Sequence, residues 1–417
     1  MAMTGLSLDT IDIISNEGYA ENGYPHAAWA LLRREAPVWW NTRHVVNPFW
    51  AVTRHDDILK ISKQPQIFHN GPRLAVFPEF HPPAEEERVL RHLLNMDPPD
   101  HAAYRKLVSH RFTPRGLGRM TSDIEEIARQ LLDAMAGDGG EQTGDFVKLL
   151  SAPLPLNVLA ELLGVPRDMW RTLFQWTNQI AGANDPEYQR DGEGAVETAR
   201  RARIQLFEYF GKMAAERRAQ PRDDIVSVIA SSALAGAPLP PMELLSFYFL
   251  LVVAGNETTR NAMTGGLLAL IEHPGELRKL RRDPSLVESA VEEIVRWTTP
   301  VIQFCRTPIR DVELRGQKIR AGQSLCLFYP SANRDEDVFD APFEFRVDRA
   351  PNRHLAFGIG EHFCLGANLA RLELRVVFRQ LAARLEHVEL AGKVERLRSS
   401  FLGGIKRMPI RYRIKPA

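Results

Sequence analysis

Cysteine is scarce in this chain: Cys305, Cys326 and Cys364 are the only three in 417 residues. An odd, widely spaced set excludes a disulfide framework. It fits a reducing compartment, so the chain is expected to be cytoplasmic. Cys364 and nearby His362 do not supply the paired ligands of a structural zinc site. Charge of one sign is also missing. Lys and Arg number 53 against 52 Asp and Glu, a net charge of +1. That gives no basic surface for nucleic acid. Long apolar runs are absent as well. The most apolar stretch, Phe247 to Ala254, is far shorter than the about 20 residues that span a bilayer. Met1 to Ser15 has no basic start followed by an apolar run, so neither a signal peptide nor a membrane anchor is expected.

What is present reads as an ordinary soluble protein, with 44% apolar and 25% charged residues. Length alone suggests more than one domain, but no linker, repeat or low-complexity tract divides the chain. One domain over residues 1–417 is expected, with a partly disordered tail over about 1–18. Phe49 to Thr53 reads as a strand, and Asp97-Pro98-Pro99-Asp100 as a helix start. Ser122 to Ala235 is helical in pattern. Val301 to Tyr329 alternates as short strands, Ala341 to Arg353 is an irregular meander, and Ser399 to Ile414 reads as a terminal strand pair. The fold class is mainly α with small peripheral antiparallel β-sheets.

The densest signal is Phe357-Gly358-Ile359-Gly360-Glu361-His362-Phe363-Cys364-Leu365-Gly366, followed at once by a helical pattern. Glycines let a backbone turn tightly and approach a flat ligand. The helix N-terminus aims free N–H groups at the sulfur and favours thiolate. A buried thiolate of this kind suits an axial ligand of an iron porphyrin. A lone loop cysteine would more often be inert, but the whole string resembles the haem-binding loop of the cytochrome P-450 family. The resemblance implies that family's fold, a single triangular prism with haem b between a long central helix and the cysteine-loop helix. It implies Cys364 as the iron ligand, Gly358 and Gly366 as the turns beside it, and Phe357 packed near the sulfur.

Pro241 and Pro274 bracket a helical pattern of about 50 Å at 1.5 Å per residue. Its first half is apolar all round, which implies burial. The polar run Ala254-Gly255-Asn256-Glu257-Thr258-Thr259 interrupts it. Either the helix ends at Gly255, or buried polar groups sit in mid-helix at a cost unless hydrogen-bonded. Apolar periodicity resumes at Ala262 and Met263, which favours the second. The run resembles the oxygen-binding segment of the P-450 central helix. That likeness implies room for O2 beside Ala254 and Gly255, a local bulge, Thr258 steadying oxygen and a water, and Glu257 relaying protons.

Further positions follow from the same resemblance. Glu293 and Arg296, at i, i+3 on one helix face, would form a structural network with Arg349, or with Arg346. His101, Arg105, Arg306 and His354 would meet the haem propionates. The substrate pocket would be walled by Leu74, Val76, Phe77, Val253, Val301, Gln303, Phe304, Phe401 and Leu402, with Asn178 and Gln179 orienting a polar end. The match is closest to bacterial members that hydroxylate steroid side chains and methyl-branched lipids. Those members typically carry an aromatic and an arginine where this chain has Phe304 and Cys305, so their substrate does not transfer directly.

The function implied is an O2-dependent monooxygenase acting on a small lipophilic molecule: a steroid, terpenoid or branched fatty acid. No fused electron carrier is visible, so a separate ferredoxin and ferredoxin reductase are the expected partners. Arg105, Lys106, Arg111, Arg115 and Arg353 are candidates for attracting an acidic ferredoxin. No nucleic acid or membrane partner is expected, and the chain is read as a monomer. The alternatives are a biosynthetic oxidase that epoxidises or couples a secondary metabolite, and a non-catalytic haem-binding or sensor protein.

Overall fold

The computed structural model describes residues 6–43, 46–76, 90–182 and 185–416. The central helix runs Pro241–Glu272 without interruption. Proline at its first turn costs no hydrogen bond, and the His273 N–H closes it on the Ala269 carbonyl. Helical geometry continues through Ala254 to Thr259, so neither the break at Gly255 nor the implied bulge occurs. Around it pack the helices Pro153–Leu163, Trp170–Ala181, Ala195–Ala219, Val287–Thr298 and Ala367–Arg384. Gly266 lets two of these come close. A Cβ there would sit 2.7 Å from both Ile294 and Phe378. Contact on every side explains why the helix lacks a single apolar stripe.

A five-stranded sheet flanks the bundle in the order Val38–Asn41, Phe49–Val52, Leu325–Phe328, Gln303–Pro308 and Phe68–His69. Its pairings are antiparallel except that Leu325–Phe328 runs parallel to Phe49–Val52. The terminal strands do not pair with each other. Pro409–Ile414 lies between Leu385–Leu390 and Gln142–Asp145, and Ile405–Arg407 pairs with Glu395–Arg396. The strand Gln142–Asp145 therefore interrupts the expected helical run. Its partner lies far along the chain, which local periodicity does not report.

The expected loose tail is packed over its described part. Ile11, Ile13 and Ile14 are buried in a cluster with Trp29, Phe49 and Phe328, and Asn16–Asn22 is a helix capped by Ser15. Burying three isoleucines offsets the ordering entropy of so short a segment.

Glu293 lies at the centre of a buried charge network. Arg296 donates to it through Nε and Nη2 at 2.7 and 2.8 Å, and Arg349 Nε lies 3.0 Å from Oε2. Arg349 is thus the third side chain. Arg346 contributes only its backbone N–H, at 3.0 Å. The remaining guanidinium protons reach the carbonyls of Asn333 and Pro342 from Arg296, and of Asp340, Ala341 and Glu344 from Arg349. The network ties the helix Val287–Thr298 to the meander that leads to the cysteine loop.

Candidate active site

The cysteine loop is built by backbone geometry. Gly358 and Gly360 adopt φ of 68° and 80°, where side chains are strained. A Cβ on Gly360 would also fall 2.4 Å from the Ser62 carbonyl oxygen. The Cys364 N–H donates to the Phe357 carbonyl at 2.8 Å, closing the loop. Arg371, one turn into the next helix, lies 4.5 Å over the Phe357 ring. Two bonds of 2.7 and 2.8 Å tie Arg371 to Glu292, which also meets His354 Nε2 at 3.1 Å. Burial pushes the Glu292 carboxyl up, but Arg371 and His354 outweigh it and bring it to about 2.

Cys364 opens into a cavity that leaves about 230 Å³ free for the centre of a water-sized sphere. One water needs only about 10–15 Å³ on that measure, so the space takes a large ligand. The Cys364 and Ala254 side chains are both uncovered in it, although each belongs to the interior of the chain. Gly366 also lines it, and a Cβ there would meet nothing within 4 Å. The walls are mostly apolar: Leu162, Leu250, Leu251, Val301 and Phe304 are among them.

A polar cluster occupies one part. Arg105, Arg306, His101 and His362 all line the cavity. Among the described residues neither arginine has a carboxylate within salt-bridge distance. His101 Nδ1 is bonded to Glu361 at 2.9 Å, and its ring lies 4.0 Å from that of His362. Burial, with His101, Arg306 and Arg105 nearby, lowers His362 to about 2, so it is neutral. Its Nε2 is buried and has no partner. Two unpaired cations and a free imidazole nitrogen suit the anionic edge of a ligand.

Here the structure corrects the sequence reading. His354 does not line the cavity; it is spent on Glu292, behind the Phe357 ring. His362, two residues before Cys364, lines it instead. The signal was present, because the loop that carries the sulfur carries this histidine too. Thiolate also needs more than a helix end. Burial pushes the Cys364 thiol up, and the Gly366 N–H, Arg105 and Arg371 offset this only in part. A bound metal cation is what holds such a sulfur deprotonated.

On the central helix, Thr258 faces the cavity and its hydroxyl donates to the Ala254 carbonyl at 2.8 Å. Glu257 does not. It is buried on the side facing Trp170–Ala181, in an ion pair with Arg260, and its Oε1 has no partner. Burial raises its pKa in spite of Arg260. Arg260 also donates to Asn178 Oδ1 at 3.3 Å. Asn178 is therefore engaged away from the cavity, and Gln179 does not line it either. Of the expected pocket residues, Val301 and Phe304 line the cavity defined by the described residues. Leu74, Val76, Val253, Gln303, Phe401 and Leu402 do not. Strand alternation turns Gln303 opposite to Phe304, where it bonds the Val76 backbone. Phe401 packs on the Phe304 ring at 5.6 Å. Phe77 lies outside the described residues. Glu373 was not anticipated. It lines the cavity with no partner for Oε2, and burial raises its pKa well above the usual value.

A helical fold with one cavity-facing cysteine in a glycine loop, an apolar chamber and unpaired cations defines a haem-thiolate oxygenase. The donor set fits the group: a sulfur, the uncovered Ala254 opposite, and cationic partners for carboxylates. Comparison with known proteins agrees. The family model described as cytochrome P450 matches residues 38–415. A steroid C26-monooxygenase of Rhodococcus jostii is 38% identical over 96% of this chain and 84% of its own length. A methyl-branched lipid omega-hydroxylase of Mycobacterium tuberculosis is 37% identical over 98% of this chain and 95% of its own. A Mycobacterium marinum cytochrome P450 solved in complex with pseudoionone has a TM-score of 0.89 at 34% identity, covering 98% of this chain and 99% of that one. The chain belongs to the cytochrome P450 family. It is an oxidoreductase, a monooxygenase whose cofactor is haem b. No described helix is long and apolar enough to cross a membrane.

Proposed function

We propose that this enzyme hydroxylates a lipophilic molecule of the steroid, terpenoid or branched fatty acid class, with electrons from a separate ferredoxin system. The observation that carries the reading is the chamber itself. Its walls are mostly apolar, Leu250, Leu251, Val301 and Phe304 among them, while Arg105, Arg306, His101 and His362 form one polar cluster. Apolar ligand surface gains about 25 cal/mol per Å² on leaving water for such a wall. The named activities of the steroid and lipid hydroxylases above support the same class.

Haem bound here supplies the activation of O2 and the insertion of one oxygen atom. Cys364 is the residue that would hold its iron, and Arg105, Arg306 and His362 its propionates. Phe304 and Val301 hold substrate on the apolar side and exclude water. Thr258 presents a hydroxyl to the chamber. Its bond to the Ala254 carbonyl leaves the oxygen lone pairs free to accept from a water or an oxygen ligand. Glu257, whose pKa burial raises against the pull of Arg260, is the proton reserve behind that hydroxyl. Arg260 must loosen its hold before the carboxyl can exchange protons with solvent. Lys106, Arg115 and Arg353 are exposed and can attract an acidic electron donor. Arg111 is tied to Asp223 at 2.6 Å, and Arg105 faces the cavity.

The test is an optical titration of ferric enzyme with steroids, terpenoids and branched fatty acids. A low-spin to high-spin shift confined to one class, followed by a hydroxylated product with ferredoxin and its reductase, is the expected result. No shift with any class, in protein with intact thiolate-ligated haem, refutes the substrate assignment.

A further inference from the structure

Cys305 and Cys326 are not used by the chemistry above. The two stand directly opposite each other on adjacent antiparallel strands, Gln303–Pro308 and Leu325–Phe328. The Cys305 N–H donates away from its partner strand, to the Leu74 carbonyl at 2.7 Å. The pair is therefore of the non-hydrogen-bonded kind, whose Cα atoms lie about 4.5 Å apart and whose side chains are closest. That separation falls within the about 4.4–6.8 Å that a disulfide spans. Both side chains lie on the sheet face that packs on Trp29, Phe49 and Ile302, and both are 0% exposed.

We propose that Cys305 and Cys326 form a reversible oxidation site, which hydrogen peroxide converts to an intramolecular disulfide. The sulfur of Cys305 attacks one peroxide oxygen; the O–O bond breaks, leaving a sulfenic acid and one water. The sulfur of Cys326 then displaces the hydroxyl, forming the S–S bond and a second water. Two S–H bonds are lost, one S–S bond is made, and two electrons pass to the peroxide. Cys305 is the better nucleophile. Burial raises its thiol, but the neighbouring Cys326 and the charges of Arg73 and Arg306 outweigh this and the net shift is downward. Burial pushes Cys326 well up. Complete burial excludes bulky thiol reagents, whereas hydrogen peroxide is small and uncharged.

The consequence reaches the chamber through the backbone. Phe304 and Arg306 flank Cys305 and both line the cavity. Cys326 also donates its S–H to Gln303 Oε1 at 3.2 Å, and Gln303 holds the Val76 backbone at 3.1 and 2.8 Å. Oxidation removes that S–H donor and clamps the strand that carries the pocket wall.

The test uses haem-loaded enzyme. Protein is exposed to hydrogen peroxide, quenched with catalase, denatured, alkylated and digested without reductant. The expected result is one linked peptide pair joining Cys305 to Cys326, two hydrogens lighter than the separate thiols and restored by dithiothreitol. Reaction of the same two thiols with a bulky aromatic disulfide reagent should be at least tenfold slower in native than in denatured protein. In Cys326→Ser no linked pair forms, and Cys305 proceeds to sulfinic acid. Recovery of both cysteines as free thiols, or their separate conversion to sulfinic acids in the wild type, overturns the proposal. If Cys326→Ser fails to fold, the wild-type peptide map decides alone.

Discussion

Glu293→Gln changes one buried oxygen to nitrogen and removes one charge, and its effect follows from the contacts around it. The carboxylate accepts from Arg296 Nε and Nη2, Arg349 Nε, the Arg346 N–H and Asn352 Nδ2. Arg296 and Glu293 are both 0% exposed, so water does not take over these bonds. A glutamine side chain keeps the shape but points an NH2 group at a guanidinium. Two buried cations then share no anion. Removing one partner of a buried ion pair costs about 3–5 kcal/mol, and loss of the second arginine's partner places this case at the upper end. Domain stabilities are about 5–15 kcal/mol, so the variant should lose a large share of its margin. The thermal midpoint of the haem-loaded protein should fall by roughly 5–10 °C. The pH dependence supplies a second check. Burial pushes the Glu293 carboxyl up, but Arg296 chiefly, with the Arg346 N–H and Arg349, holds it below its ordinary 4.5. A depressed carboxyl stabilises the fold above its unfolded value and loses that contribution as pH falls through its folded value. The gap between wild type and variant should be level at neutral pH and narrow only below 4.5. A loss under about 1 kcal/mol, the range of exposed pairs, would refute the argument that this network holds the meander in place.

Three further outcomes are expected. Thr258→Ala should leave haem content unchanged, because the helix keeps its backbone bonds, and should lower product formed per O2 consumed on the order of tenfold. Parallel product and oxygen measurements check this, and unchanged coupling would count against the hydroxyl's role. His362→Phe keeps ring volume but removes the unpartnered Nε2. Haem transfer to an acceptor apoprotein should accelerate about tenfold, as for loss of one charge-assisted hydrogen bond, whereas His354→Phe should change transfer far less. Glu373→Gln removes a carboxyl whose pKa burial raises well above 4.5. Such a group contributes most below its unfolded pKa, and its contribution declines as pH rises through the folded value. The variant should therefore gain stability relative to wild type as pH rises above 4.5; midpoints that run parallel across pH would exclude it.

Local pattern reached far in this chain. Pro241 and Pro274 bound the central helix because proline starts a helix freely and cannot continue one. The glycines around Cys364 announced a tight loop, since their positive φ is a property of the residue type. Glu293 and Arg296 share a face because a helix repeats every 3.6 residues. In each case the physical cause lies within a few residues, and sequence carries it.

Tertiary structure decided the rest, because the deciding partners are distant along the chain. The histidine that keeps a free nitrogen for a ligand is His362, since Glu292 and the Ala356 N–H occupy His354. Glu257 turns to Arg260 instead of the chamber, because the helix stays regular and neighbouring residues point about 100° apart. Glu373, a helix-face residue by pattern, ends unpartnered in the cavity wall. Cys305 and Cys326, 21 positions apart, meet only because strand register places them opposite. Register, burial and the loss of water between partners are long-range quantities, and they set which of the candidate side chains are free to act.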